Sequence, residues 1–313
     1  KAGIVTISGV IPRIDAGTGI DGKEISRIAA VLRRRGIWSR SVVLGAPSSL
    51  ASNAMLELPP RSSGAPIERL AQIEMARMLR CEPQTIETVC WDVALGGKSA
   101  PHTSVMAVAC ATKEATRISE EFEDAGIVVD AIEPGCIALA RVVRRRMGAS
   151  SFVVVDLGAS GGRVCVVKDG IVTLQRELGE LGMLERLGCA AAPVGCSVDA
   201  LWRQISAGGA DGVQTTRGAS EIARTFTERL AEDVERAVKE SLGYARTRGG
   251  SVAPELIALA GWGGAAAGLA EMLSEQSGPR AAVIGSEPPG TATASVDAMA
   301  VGLGMRSEEE FDA

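Results

Sequence analysis

The residues with the clearest capacity for chemistry are Asp156-Leu157-Gly158-Ala159-Ser160-Gly161-Gly162. The apolar run Phe152–Asp156 leads into them and Arg163–Val167 resumes behind them. The segment therefore reads as a glycine-rich turn between two strands. Small residues there let several backbone N–H groups point into one concavity, and such nests bind phosphate oxygens. Asp156, at the strand end, is placed to hold Mg²⁺ through its water shell, since that ion usually keeps several waters. The plain alternative is a tight turn that needs glycine, capped by its aspartate.

A second glycine turn, Gly261-Trp262-Gly263-Gly264, follows the apolar strand Glu255–Ala260 and precedes a helix expected over Ala265–Leu273. A strand–turn–helix junction suits the sugar, base or phosphate of a nucleotide. Close packing of the helix on its strand is the alternative. Between the two turns, a long helix is expected over Ala223–Arg246, with Leu230, Val234, Ala237, Val238 and Leu242 on one face.

Composition narrows the chemistry. The 313 residues suffice for two ordinary domains. A single histidine, His102, nearly excludes reactions that need two imidazoles. Seven scattered cysteines form no Cys-x-x-Cys pair, which reads as free thiols rather than a disulfide framework or a zinc site. A net charge of -5 gives no electrostatic argument for nucleic acid. No apolar run approaches the roughly 20 residues of a membrane span, and no signal peptide is visible. Aromatic residues make up 3%, so the core must be built from Ala, Val, Leu and Ile.

Strands and helices alternate along the rest of the chain. Strands are expected over Ala2–Ile11, Ser41–Ala46, Ala54–Leu58, Thr88–Leu95, Ser104–Thr112, Ile127–Ile132, Ile171–Arg176 and Arg280–Ile284. Helices are expected from Ile25 to the Arg33-Arg34-Arg35 run, over Ile67–Leu79 and Lys113–Ala125, from Pro134 to Arg146, and over Ser295–Met305. Asp169-Gly170 marks a hairpin, so Phe152–Leu178 reads as a three-stranded antiparallel meander. Gly182–Ala223 carries no clear period. The pattern means a mixed-sheet α/β fold.

The two glycine turns, about a hundred residues apart, together resemble the phosphate-2 and adenosine loops of the actin-like ATPase superfamily. The likeness narrows further. Ser41–Pro60, Gln72-Ile73-Glu74, Cys90-Trp91-Asp92, Ala109–Glu114, Ala125–Asp130 and Val301–Ser307 resemble, in order, segments of the type IV pilus assembly protein PilM family. The resemblance implies two RNase-H-like halves with mixed five-stranded sheets and an inserted subdomain placed as in FtsA. The halves are expected at 1–147, with the insertion at about 48–128, and at 148–285, with an insertion at about 178–248. Residues 286–313 are expected to return as a helix to the first half and end in an acidic tail.

The resemblance also implies the site. ATP with Mg²⁺ would contact Asp156, Gly158, Ala159, Ser160, Gly161 and Gly162 on one side and Gly261, Trp262, Gly263 and Gly264 on the other, with Asp156 serving the metal. Glu232 falls at the family's ribose-binding acidic position, with Glu228 one turn earlier as the alternative and a solvated helix face as the plain one. Two departures lead us to expect weak ATP binding or none, and at most a weak ATPase. Lys1–Pro12 matches the strand after the family's first phosphate hairpin, so that loop is expected to be missing. Trp262 stands where the family has a small glycine, where an indole would stack on adenine or fill its place.

As function, the resemblance implies a cytoplasmic scaffold recruited to the inner membrane by a PilN-like partner. The N-terminal cytoplasmic peptide of that partner would dock near Arg141, Arg144 and Arg145, and an assembly ATPase is a further expected contact. Solvated cations at a helix end are the plain reading of those arginines. The alternatives are a GspL-like secretion domain, a small-molecule kinase of the same fold, and an FtsA-like filament protein.

Overall fold

The computed structural model describes residues 20–37, 41–46, 50–93, 102–207, 217–247, 252–284 and 298–305. The strand expected over Ala2–Ile11 and the acidic tail lie outside them. The chain divides into two units, Lys1–Ala138 with Leu303–Ala313, and Leu139–Gly302.

In the first unit, Asp21 starts α1 (Gly22–Arg34) by accepting the Glu24 amide at 2.8 Å. The strands are β1 (Ser41–Ala46), β2 (Ala51–Leu58), β3 (Ile86–Asp92), β4 (Thr103–Ala111) and β5 (Val128–Pro134). The helices between them are α2 (Ile67–Leu79) and α3 (Thr112–Asp124). β1 and β5 pair in parallel. Among the described residues they form a two-stranded sheet, where five strands were expected in this half. Ile118 and Phe122 of α3 pack with Ile25 and Ala29 of α1 and with Ile127. β2, β4 and β3 form a separate antiparallel sheet. One face of it carries Leu56, Leu58, Val105, Ala107 and Ala109 against Ile67, Ala71 and Met75 of α2. α4 (Gly135–Met147) follows β5, and the unit boundary falls inside it.

The second unit holds the mixed five-stranded sheet in full. Its strands are β6 (Phe152–Leu157), β7 (Gly162–Lys168), β8 (Ile171–Leu178), β9 (Leu256–Ala260) and β10 (Arg280–Val283), in the order β10-β9-β6-β7-β8. The expected meander β6-β7-β8 is antiparallel, and β9 and β10 join in parallel. β9 is buried along its whole length, as a central parallel strand requires. One sheet face, with Val153, Val155, Leu157, Val164 and Val166, packs on helices that follow the meander. These are α5 (Met183–Ala191), α6 (Val198–Ala207), the 31-residue α7 (Arg217–Thr247) and α8 (Leu269–Ser277). α9 (Ala298–Gly304) ends the described chain.

Two expectations are corrected. Gly182–Ala223, which showed no period, holds α5 and α6. The helix expected from Ala265 begins at Leu269, because Trp262–Ala265 forms a 3-10 turn and Gly268 takes a left-handed conformation, φ 80°.

Candidate functional site

Asp156 is partly buried near the end of β6. Across the sheet it faces Ala260 of β9 on one side and Arg163 of β7 on the other, and Arg163 in turn faces Glu177 of β8. A row of three charged residues thus crosses the sheet beside the first glycine loop. Arg163 is 7% exposed. Its Nε donates to Glu177 Oε1 at 2.7 Å, and its Nη1 is buried without a partner. Gln175 Nε2 donates to the same Glu177 oxygen at 3.0 Å. Burial pushes the Asp156 carboxyl above the usual carboxylate range; the Arg163 charge opposes that and Glu177 adds to it.

The glycine loop is held from behind. The Gly158 and Ala159 carbonyls accept the amides of Met183 and Leu184, at 3.1 and 2.9 Å, from the first turn of α5. The amides of Gly158, Ala159, Ser160 and Gly161 donate to nothing among the described residues. Gly182 packs against the Ser160–Gly161 peptide, where a Cβ on it would meet the Ser160 carbonyl carbon at 2.9 Å and the Gly161 nitrogen at 3.2 Å. Most of the glycines answer to protein packing. A Cβ on Gly158 would meet the Gly161 carbonyl at 2.9 Å, and one on Gly162 would meet Leu181 Cβ at 2.6 Å. Gly161 differs: a Cβ there would meet nothing nearer than 3.8 Å.

The second glycine turn packs on the first. Gly261 has φ 73° and ψ -178°, and a Cβ there would strike the Asp156 carboxylate and the Leu157 carbonyl. A Cβ on Gly263 would meet Met183 Sδ at 2.6 Å and Leu157 Cβ at 2.8 Å; on Gly264 it would meet the Leu259 backbone at 3.2 Å. The structure thus brings the two expected loops together, with the start of α5 as a third component. Trp262 packs edge-on against Trp202 of α6, ring centroids 5.1 Å apart at 60°.

Glu232 of α7 is exposed. Glu228 pairs with Arg224, one turn away. The carboxylate tied into the cluster is the adjacent Asp233. It accepts from Arg186 of α5 and from Arg236, and Arg186 also donates to the Glu180 carbonyl at 3.1 Å. Burial raises the Asp233 carboxyl, but the hydrogen bonds and charges of Arg186 and Arg236 outweigh it and hold the group below its ordinary range.

The three arginines expected to meet a peptide have different settings. Arg141 is corrected to a structural position: it is 7% exposed, and its Nη1 donates to the Gly302 carbonyl at 2.8 Å. Arg144 is exposed, and its guanidinium lies over the Asp169-Gly170 turn, where a Cβ on Gly170 would meet Nε at 3.1 Å. Arg145 is exposed.

The groups of the first loop that a phosphate would meet are the amides of Gly158–Gly161; a Cβ on Gly161 would make ordinary contact with Gly179 and Leu178. The described residues contain no group of three or more His, Cys, Asp or Glu side chains that could hold a metal, so Mg²⁺ beside the first loop would be held by Asp156 through water. The Asp156 carboxylate is also fenced by the Gly261 turn and faces an arginine across the sheet.

No family model and no curated sequence matches the chain. Among solved structures, the chain is similar to one described as the PilM-PilN type IV pilus biogenesis complex. The identity is 17%, covering 94% of this chain and 89% of that one, with a TM-score of 0.70. This likeness shows the PilM-type, actin-like α/β fold. The ethanolamine utilization protein EutJ from Carboxydothermus hydrogenoformans matches at 16% identity over 61% of this chain and 62% of that one, TM-score 0.43. MreB 5 of Spiroplasma citri bound to AMPPNP matches at 11% identity over 61% and 63%, TM-score 0.43.

Proposed function

We propose that this chain is a scaffold subunit of a type IV pilus assembly machine, or of a related secretion machine, that docks a PilN-like inner-membrane protein. The observation that carries the reading is the match of fold along nearly the whole chain to a structure solved as a PilM-PilN complex. No helix among the described residues is long and apolar enough to cross a membrane. On this reading a membrane-anchored partner recruits the chain to the cytoplasmic face of the inner membrane, and the handle is that partner's N-terminal cytoplasmic peptide. An extended peptide gains affinity from apolar anchors and direction from a few polar groups.

Nucleotide has a subordinate place. The unspent amides of Gly158–Gly161 support phosphate binding at the first loop. The packing of Trp262 on Trp202 supports the reading in which the indole fills space rather than stacking on a base. Weak ATP binding without vigorous turnover is the consequence.

The test is calorimetric titration with the N-terminal cytoplasmic peptide of the PilN-like protein from the same organism. Saturable binding is expected. Absence of binding, with and without ATP, overturns the scaffold reading.

A further inference from the structure

We propose that Arg186 and Asp233 are positioning residues for the first glycine loop: by tying the segment Gly179–Leu184 to α7, they hold the loop in the shape that takes phosphate. This rests on the phosphate-binding reading above.

Two observations carry it. The first is how closely that segment backs the loop. The Met183 and Leu184 amides donate to the Gly158 and Ala159 carbonyls. A peptide unit is planar and trans, so its N–H points opposite to its C=O. Each carbonyl turned toward α5 therefore turns the next amide, of Ala159 or of Ser160, away from it. Gly182 lies against the following peptide, where a Cβ on it would meet the Ser160 carbonyl carbon at 2.9 Å. The directions of the loop amides are thus set by this one segment. The segment is a 3-10 turn and the start of a nine-residue helix, too short to hold its own shape in water.

The second observation is what holds the segment. Arg186 lies in the first turn of α5. Its Nη1 donates to the Glu180 carbonyl at 3.1 Å, inside the 3-10 turn, and its Nη2 donates to Asp233 Oδ2 at 2.5 Å. One guanidinium therefore spans the turn, α5 and α7. Arg186 and Asp233 are 20% and 24% exposed. Charge-assisted hydrogen bonds so sheltered are stronger than those on an open surface. α7 is a firm anchor, since Leu230, Ala231 and Val234 beside Asp233 are fully buried. Arg236 also donates to Asp233, but from α7 itself, so it does not reach the segment.

The experiment pairs calorimetric titration with ATP in Mg²⁺ buffer with amide hydrogen exchange of the unliganded protein. Arg186→Met and Asp233→Ala should each weaken ATP by about threefold to thirtyfold. Each should also speed exchange of the Met183 and Leu184 amides by at least about threefold, while the amides of β9 keep the parent rate. Arg236→Gln should do neither. Parent affinity in both Arg186→Met and Asp233→Ala would overturn the proposal and leave phosphate binding in place. Exchange that rises equally in β9 would mean a general loss of stability and would also overturn it, as would an equal effect of Arg236→Gln. No ATP binding by the parent would overturn the phosphate reading and this proposal together. Should melting show that Arg186→Met is unfolded, Arg186→Lys takes its place. Its ammonium keeps the charge without the guanidinium fork that spans both acceptors, so a smaller loss of the same kind is expected.

Discussion

The carboxylate of Asp156 fills the space that a side chain at Gly261 would need. The two glycine turns, distant in sequence, therefore meet through one carboxylate and one missing Cβ. Gly261 is held at φ 73° and ψ -178°, a backbone region open essentially to glycine alone. Gly261→Ala should cost about 2–4 kcal/mol, strain and clash together. Urea unfolding checks it; a loss below about 0.5 kcal/mol, within the range of an ordinary surface substitution, would mean that the turns are not locked together.

Gly158 and Gly161 separate packing from ligand approach. Gly158→Ala forces a methyl against the Gly161 carbonyl and should destabilise the fold by about 1–3 kcal/mol. Gly161→Ala meets only ordinary contacts. Its stability should stay within about 0.5 kcal/mol of the parent, while phosphate-bearing ligands should bind at least several-fold more weakly. Unchanged ATP affinity in a Gly161→Ala protein would show that no phosphate approaches this strand end.

Asp156 should make the fold less stable as it ionises. Burial raises its folded-state pKa, with Arg163 opposing and Glu177 adding to the rise. The sign follows from linkage. The protein binds the proton better when folded, so the contribution is full below the unfolded-state value and is lost as pH rises through the folded-state one. Asp156→Asn should therefore raise stability at neutral pH by about 0.5–2 kcal/mol, the usual yield of a relieved functional site. The gain should shrink as pH falls into the carboxylate range. Melting curves of both proteins across that range test it.

Asp233 has the opposite sign. Burial raises it, but Arg186 and Arg236 prevail and lower it. Its contribution is present above the unfolded-state value and is lost as pH falls through the folded-state value. Arg186 also grips the Glu180 carbonyl, so the pair ties α5 to α7 and to the turn before α5. Asp233→Asn should lose stability at neutral pH and converge with the parent in acid. Glu232→Gln should leave the melting temperature unchanged, since that side chain is exposed.

Much of this was legible in the residues. Ser41–Ala46 and Ile67–Leu79 have the same bounds in sequence and structure, because apolar period and bounding glycine or proline agree there. The meander was legible from Asp169-Gly170, a turn whose two residues both take positive φ. α5 was not. It has nine residues, includes Gly188, and owes its first turn to the Gly158 and Ala159 carbonyls, a tertiary contact that no local period announces. The site splits the same way. The loops showed as glycine clusters. The row of Asp156, Arg163 and Glu177 needs strand register, although an arginine inside Gly162–Val167 is a local anomaly that pointed to it.

The last prediction separates the arginines of α4. Arg141 is buried and donates to the Gly302 carbonyl, so it belongs to the packing of the second unit. Arg141→Met leaves that carbonyl without its charged donor and should cost about 1–3 kcal/mol, whatever peptide is present. A charge reversal there would confuse unfolding with lost binding. Arg144 and Arg145 are exposed at the end of the helix, and the Arg144 guanidinium lies over Gly170. Thermal melting shows whether the double variant Arg144→Glu with Arg145→Glu is folded. If these cations engage a polar or acidic flank of the docked peptide, the double variant should bind it several-fold more weakly, and added salt should narrow the difference. A folded double variant that binds the peptide as tightly as the parent would take the arginines out of the docking surface.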